Sequence, residues 1–292
     1  MTLAVSYTMC IRDGDAVHGW GLPRSGCRSL SVSLSVRTTD RGPRNVTSPV
    51  FAQVGAIVSG GVQHGGMVRR ATGAGGRQRG ARRPEVRLPP LVPYDGGGLE
   101  PDGDYDGVEF TEADFAGQDG RGARFMDCAL TACALDEARL HHARFLDSVL
   151  TGIRGVGTDL AESTLRDVEL VDARLGGAQL HGAVLERVLI RGGKIDYLNL
   201  RTARLKDVVF QGCVLVEPDF GGARLERVEF VDCELKGADL SAATLKDVDL
   251  RGAASLEIAR GVDRLSGALI SPAQLLDLAP VLAAELGIRV EG

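Results

Sequence analysis

The sequence predicts an all-β solenoid, a β-helix closed by a short C-terminal helical cap and preceded by an unrelated leader. Three observations carry that prediction. Every fifth residue from Phe110 to Leu250 gives 29 positions, and 27 of them are Leu, Phe or Ile. The residue two places earlier is Ala, Val, Cys, Ser, Thr or Gly at 25 of the same 29 steps. Aromatics form only 4% of the 292 residues, and seven of the eight phenylalanines fall on the five-residue series. A period of five fits neither the 3.6 of an α-helix nor the 2 of a flat strand. It requires a chain that turns a corner every five residues, pointing one large and one small side chain inward each time. Four corners close a coil of 20 residues, and Val168, Val188, Val208, Val228 and Val248 recur at that step. Like residues then stack on like, the way solenoids bury a continuous core between neighbouring repeats.

Residues 1–104 read as a leader. Residues 1–100 carry 13 Arg against 6 acids, whereas 101–292 carry 21 Lys and Arg against 33 acids. The formal charge of −5 therefore averages two unlike parts. Ser29–Val36 alternates like a strand but has no evident partner, and a lone strand is not stable. The run from Met67 to Arg87 holds seven Arg and one Glu; with its repeated Gly it reads as a solvated, disordered basic tail. The cluster Gly73, Gly75, Gly76 lacks the strand and helix that a phosphate loop needs. Translation from Met67 is an alternative reading of residues 1–66.

Residues 105–270 form the coil. About seven turns at the ~4.8 Å spacing of paired strands give a rod roughly 35 Å long. The central ladder includes Phe110, Phe115, Phe125, Phe145, Leu165, Leu185, Leu205, Phe210, Leu225, Phe230 and Leu245. Gly120 and Gly155 break the large series. Gln118, Ile153, Leu198 and Pro218 break the small one, and Leu198 and Pro218 are expected to distort the coil. Register slips after Leu250. Residues 271–292 then read as the cap: Ser271 and Gln274 form a capping box, Pro272 takes the first helical position, and Gly287 ends the element. Pro280 is expected to start or kink a second helical turn. Leu275, Leu276, Leu278, Leu282 and Leu286 supply an apolar face for a lid or a dimer contact.

The search for chemistry is short. Cys128, Cys133, Cys213 and Cys233 occupy the small inward column, where a free thiol behaves as a compact apolar residue. No His joins them to complete a zinc site, and no disulfide framework is visible, which suits a reducing cytoplasm. His141, His142 and His181 read as surface residues without a convergent carboxylate. No catalytic constellation, cofactor site or metal site is expected, and no run of 18 apolar residues is present to span a membrane. Function is therefore expected on the surface, through a protein partner. One side carries Asp127, Asp147, Asp167, Arg187, Asp207, Arg227 and Asp247, a ladder in which neighbours pair. The next carries Glu109, Glu112, Glu169, Asp172, Glu229, Asp232 and Asp249 against Arg191 and Arg251, and is the candidate interaction surface.

The units EADFA (112–116), GARFM (122–126), GARLE (222–226) and GADLS (237–241) resemble the A(D/N)LXX consensus of the pentapeptide-repeat family. The resemblance covers about residues 106–270. It implies a right-handed quadrilateral β-helix, although Arg124, Arg139, Arg144, Arg204 and Arg224 stand where the family usually has Asp or Asn. The tail resembles that of the DNA-gyrase-protecting branch, which implies a homodimer through the C-terminal helix and an acidic rod that imitates duplex DNA. Residues 101–270 hold 30 acids and 20 bases, about half the ~20 net charges that duplex DNA presents over ~35 Å. An interaction solenoid with an unknown partner is therefore the first reading and a modulator of DNA gyrase the alternative. Direct nucleic-acid binding by an acidic rod is not expected. N-terminal peptides from before Met67, sought by mass spectrometry of the native protein, test the internal start.

Overall fold

The computed structural model describes residues 4–11, 28–35 and 80–291. The chain divides into two compact units, Met1–Thr72 and Gly73–Gly292. In the first, Ala4–Ile11 pairs antiparallel with Arg28–Ser35. The expected lone strand therefore has a partner, 17 to 31 residues upstream in register. Met67 and the cluster Gly73 to Gly76 lie outside the described residues.

The second unit is a four-sided parallel β-solenoid of about nine turns with one C-terminal helix. The first face is centred on Phe125, Phe145, Leu165 and their successors at 20-residue steps, and the second on Phe110, Leu130, Leu150 and theirs. These two faces bend into one 13-stranded sheet, and Arg144–Thr151, Thr164–Val171, Val184–Arg191, Arg204–Gln211 and Arg224–Val231 each run across both. The third face is a six-stranded sheet through Leu175, Ile195 and Leu215. The fourth is a file of single bridges from Asp119 through Arg139, Asp159, Gln179, Asn199 and Asp219 to Asp239.

Every corner has the same backbone. From Asp102 to Asp247, each fifth residue has positive φ, at 30 consecutive corners, and 19 of those residues are not glycine. A left-handed residue every five is what makes the chain turn, and Asp and Asn tolerate that conformation better than other side chains. Asp and Glu together fill 12 of the 19.

Inside, the large column stacks at the coil rise. The Phe125 and Phe145 rings lie 4.6 Å apart and the Phe210 and Phe230 rings 4.8 Å apart, each pair within 2° of parallel. All the predicted ladder residues are buried. The two interruptions are compensated. Leu99 and Leu140 fill the space a side chain on Gly120 would take, and the Thr158 hydroxyl and Leu135 backbone crowd Gly155. Ile153, two residues before Gly155, restores the lost volume and is itself buried. Leu198 and Pro218 do not distort the coil: the Asp219 amide donates to the Leu198 carbonyl at 2.8 Å, and the Asp239 amide to that of Pro218 at 3.0 Å. The bridges beside both stay in register, because a Leu in the small column is accommodated by its neighbours and Pro still accepts.

Three expectations are corrected at the ends. The coil begins before residue 105: Val92–Pro93 pairs with Val108 and Glu109, Tyr94 packs on Phe110 at 4.6 Å, and Leu99 is buried in the core. That extra stretch, together with the Ala268–Leu269 strand after the register slip, raises about seven turns to about nine. At the other end one helix, Pro272–Glu285, runs through Pro280 without a second start. Its capping box is formed as expected, with Gly287 just beyond it at φ 69°. Only Gln274 and Leu278 of this helix are buried, with Leu282 packed against the core. The Gln274 amide donates to the Leu250 and Ala253 carbonyls at 2.8 and 3.3 Å, so the lid is hydrogen-bonded to the backbone of the last coil.

Two substitutions test this frame. Phe210→Ala should cost about 3–5 kcal/mol, because the column above and below cannot collapse into the gap; the midpoint of denaturant unfolding should fall at constant slope. Gly193 has φ 79°, and a Cβ there would collide with the Ala173 backbone, whereas Gly212 at φ 64° has open space around it. Gly212→Ala should cost about 1 kcal/mol in backbone strain, and Gly193→Ala at least ~2 kcal/mol more through the added clash.

Candidate interaction surface

The predicted acidic side is the second face. Glu109, Glu169, Glu229 and Asp249 occupy its outward strand positions, and Glu112, Asp172 and Asp232 its left-handed corners. The structure does not gather them into one acidic patch. Between them the outward positions are Ala129 and Val149, then Leu189 and Val209. Asp249 pairs with Arg251 at 2.6 Å.

A segment of the chain itself lies on this face. The Ala81 amide donates to Glu229 Oε1 at 2.8 Å, the Arg82 amide to Asp207 Oδ1 at 3.2 Å, and Arg83 Nη1 to Gln211 Oε1 at 3.1 Å. By Val92 the chain has reached the Val108 rung, where it joins the sheet. Five rungs separate Val209 from Glu109, about 24 Å at the strand spacing. An extended chain covers that in the ten or so residues available, at ~3.1 Å each. Residues 80–91 are thus a strap running along the rod, with Pro84 buried and Val86, Leu88 and Leu91 half-buried. Their cover explains an anomaly: Leu189 and Val209 point outward from the sheet, yet are 6% and 0% exposed. The part of the basic run from Gly80 to Arg87 is seated on the solenoid, which corrects the reading of a free tail; the part before Gly80 lies outside the described residues.

Asp207 anchors both the strap and the neighbouring ladder. It is 2% exposed and takes a bidentate pair from Arg227 at 2.7 and 2.8 Å. Burial pushes its carboxyl up, but the hydrogen bonds from Arg227 and from the Arg82 amide outweigh burial and hold it below the usual carboxylate range. One rung pair away Arg187 grips Asp167 in the same bidentate way, at 2.6 Å for each contact. The alternation ends there: burial and the flanking Asp167 and Asp127 push the Asp147 carboxyl up. Elsewhere Arg124 pairs with Asp104 at 2.6 Å, so one of the non-consensus arginines neutralises a neighbouring coil.

Three further groups bear on function. Leu275, Leu276 and Leu286 of the tail are 50%, 74% and 75% exposed, and Val281, Ile288 and Val290 are exposed with them. Of the five leucines expected to serve a lid or a dimer contact, Leu278 and Leu282 pack on the coil and the other three face solvent. His141, His142 and Glu162 offer ligand atoms all within 4.8 Å of one another, with His142 Nδ1 3.7 Å from Glu162 Oε2. A carboxylate does converge on the histidines, because the corners of successive coils stack His142 beneath Glu162. Two nitrogens and one oxygen can hold a borderline divalent cation. Cys213 and Cys233 sit one coil apart in the small column, and the Cys213 thiol is pushed far up by the neighbouring Cys233 sulfur and by burial, as an inert core residue would be.

Sequence reasoning missed the strap and the apolar stripe beneath it. The stripe had a signal. In LRDVEL (165–170), LERVEF (225–230) and LKDVDL (245–250) the outward fifth letter is acidic, but in LERVLI (185–190) and LKDVVF (205–210) it is Leu and Val.

Residues 123–200 match the family model described as a pentapeptide repeat region, and residues 219–253 the one described as pentapeptide repeats in eight copies. No curated protein matches the chain. Among solved structures, a trypsin-treated variant of QnrB1, a plasmid-mediated fluoroquinolone resistance protein, is 19% identical over 68% of this chain and 96% of that one, with a TM-score of 0.38. HetL, a pentapeptide repeat protein involved in heterocyst differentiation regulation from the cyanobacterium Nostoc sp. strain PCC 7120, is 21% identical over 61% of this chain and 93% of its own, with a TM-score of 0.28.

Asp207→Asn should destabilise the protein by about 3 kcal/mol at pH 7, because it leaves Arg227 with one charge partner fewer in a buried place. Since the folded carboxyl is held low, this contribution is fully present above the unfolded value near ~3.9 and is lost as pH falls through the folded value. The stability gap between the two proteins should therefore begin to close only below about pH 4 and keep closing as pH falls through the lower folded value.

Proposed function

The chain is a pentapeptide-repeat protein along its solenoid, and on that premise we propose that it acts as a non-enzymatic protein-interaction module that pairs with a second copy through its C-terminal helix. The single observation behind this reading is the concentration of exposed apolar side chains. Six of the ten large exposed hydrophobic residues in the described part of the chain fall between Leu275 and Val290. A helix that only closed the coil would need Leu278 and Leu282 and would carry polar residues elsewhere. Apolar exposure of this kind marks an association surface. The one His–His–Glu group among the described residues lies at the surface, with His141 half-buried and the other two exposed.

The alternative, a DNA-mimicking modulator of DNA gyrase, rests on the family resemblance and on the net −10 of residues 101–270. That net already subtracts the basic residues, and these are not spread evenly among the acids. Asp104, Asp119, Asp167, Asp207, Asp219 and Asp249 all pair with arginines. The second face alternates acidic with apolar positions, which suits a protein partner better than a copy of the evenly spaced phosphates of a duplex.

Leu276→Glu with Leu286→Glu should leave thermal stability within about 0.5 kcal/mol, as expected of exposed positions. The same change should convert a dimer to a monomer in sedimentation equilibrium at micromolar concentration; a wild-type chain monomeric at 100 µM sinks the pairing. Supercoiling by purified gyrase should be unchanged by a micromolar excess of the protein, and inhibition or protection would favour the alternative.

A further inference from the structure

The strap shows what the second face recognises. Gly80–Leu91, of sequence GARRPEVRLPPL, lies extended on the rod as a ligand would. Two backbone amides meet two carboxylates, Ala81 to Glu229 and Arg82 to Asp207. Arg83 reaches Gln211, and Pro84 is buried while the outward Leu189 and Val209 are sealed from solvent. The groove thus has the parts of an extended-peptide site: fixed acceptors for main-chain donors, an apolar floor, and carboxylates suited to a cationic segment. Asp207 is held in place independently by Arg227, so the acceptor remains when the strap leaves.

Nothing about the coil requires this cover. Asp249, at the equivalent position of a turn beyond the strap, is engaged by Arg251 instead. Leu189 and Val209 at such positions create an apolar floor that is useful only when something lies on it. The strap also has no part in the sheet ladder until Val92. Its contacts before that point are two amide–carboxylate bonds, one side-chain bond and apolar cover.

We infer that the second face is a recognition groove for an extended partner segment with two arginines followed by a proline, and that Gly80–Leu91 is its built-in competitor. A tethered segment sits at millimolar effective concentration. A free peptide of the same chemistry therefore binds the intact protein weakly, and a partner engages fully only once the strap is displaced. The inference is separate from the pairing of C-terminal helices: it concerns another face, and its readout does not depend on oligomeric state.

The test uses the full-length chain and a fluorescent peptide of sequence GARRPEVRLPPL, read by anisotropy. Ala81→Pro with Pro84→Asp removes the donor to Glu229 and places a charge at a buried position, releasing the strap. A second release variant, Arg82→Glu with Arg83→Glu, changes only exposed strap side chains. Both should bind the peptide at least tenfold more tightly than wild type, and trypsin should cut the wild type at Arg87 at least tenfold more slowly than Ala81→Pro/Pro84→Asp. Adding Val209→Asp, an outward position that leaves the core columns untouched, should abolish binding in either background. A peptide in which both arginines are glutamate should not bind. Equal, undetectable binding to wild type and both release variants at 100 µM overturns the proposal and makes the strap a structural brace. Release variants that form strap-exchanged dimers the peptide cannot compete apart also overturn it, in favour of a second copy as the occupant.

Discussion

The left-handed corner is the constraint on which the rest of this protein depends. One residue in five at positive φ, 30 times without a break, sets the coil length, and the coil length decides which residues meet. Most amides then find a carbonyl on a neighbouring turn, as when Arg144 donates back to Ala123 and Gly122 forward to His141. With the backbone satisfied along the rod, the inside is left to two columns of fixed size, and the outside receives two residues per face that packing does not dictate. The 19 corners that are not glycine bear a strain that only such an over-determined ladder can hold.

That division explains what was readable in advance. The inward columns were legible because a wrong residue there is costly, and the sequence keeps to them from Phe110 to Leu250. Even the exceptions follow: Gly120 is small because Leu99 occupies its space, and Gly155 because the Thr158 hydroxyl and the Leu135 backbone do. Leu99 could not be foreseen, since it lies before the periodic region. The helix was legible from its capping box, and Pro280 starts no second helix. Its missing amide and its ring are tolerated on a short, largely exposed helix held to the coil through Gln274, Leu278 and Leu282.

The surface was legible in part. Glu229, expected to face a protein partner, is instead engaged within the chain, by the Ala81 amide at a sequence distance of 148 residues. Period analysis cannot see such a contact, because the strap has no repeat of its own and its composition resembles that of unfolded chains. Arg, Gly and Pro in Gly80–Leu91 read as solvated, yet the same residues suit an extended ligand: Pro restricts the backbone, and the amides stay free for acceptors on the rod. Composition reports what a segment can bury alone, and this segment buries what the solenoid offers it.

Charge, read as a total, gave the wrong scale for thinking about the rod. A net −10 over residues 101–270 suggests a diffuse anionic surface, but the carboxylates that matter are fixed singly. Asp207 is clamped by Arg227 and faces one strap amide; Asp167 is clamped by Arg187; the Asp147 carboxyl is pushed up by burial and then by the flanking Asp167 and Asp127. A surface organised this way discriminates by position. It favours a ligand whose donors fall at coil spacing and whose apolar groups fall between them, and such a ligand is an extended polypeptide. Because successive coils differ only in their outward residues, exchanging Glu for Leu or Val at two adjacent rungs is enough to convert a stretch of rod into a binding groove without disturbing the fold beneath it.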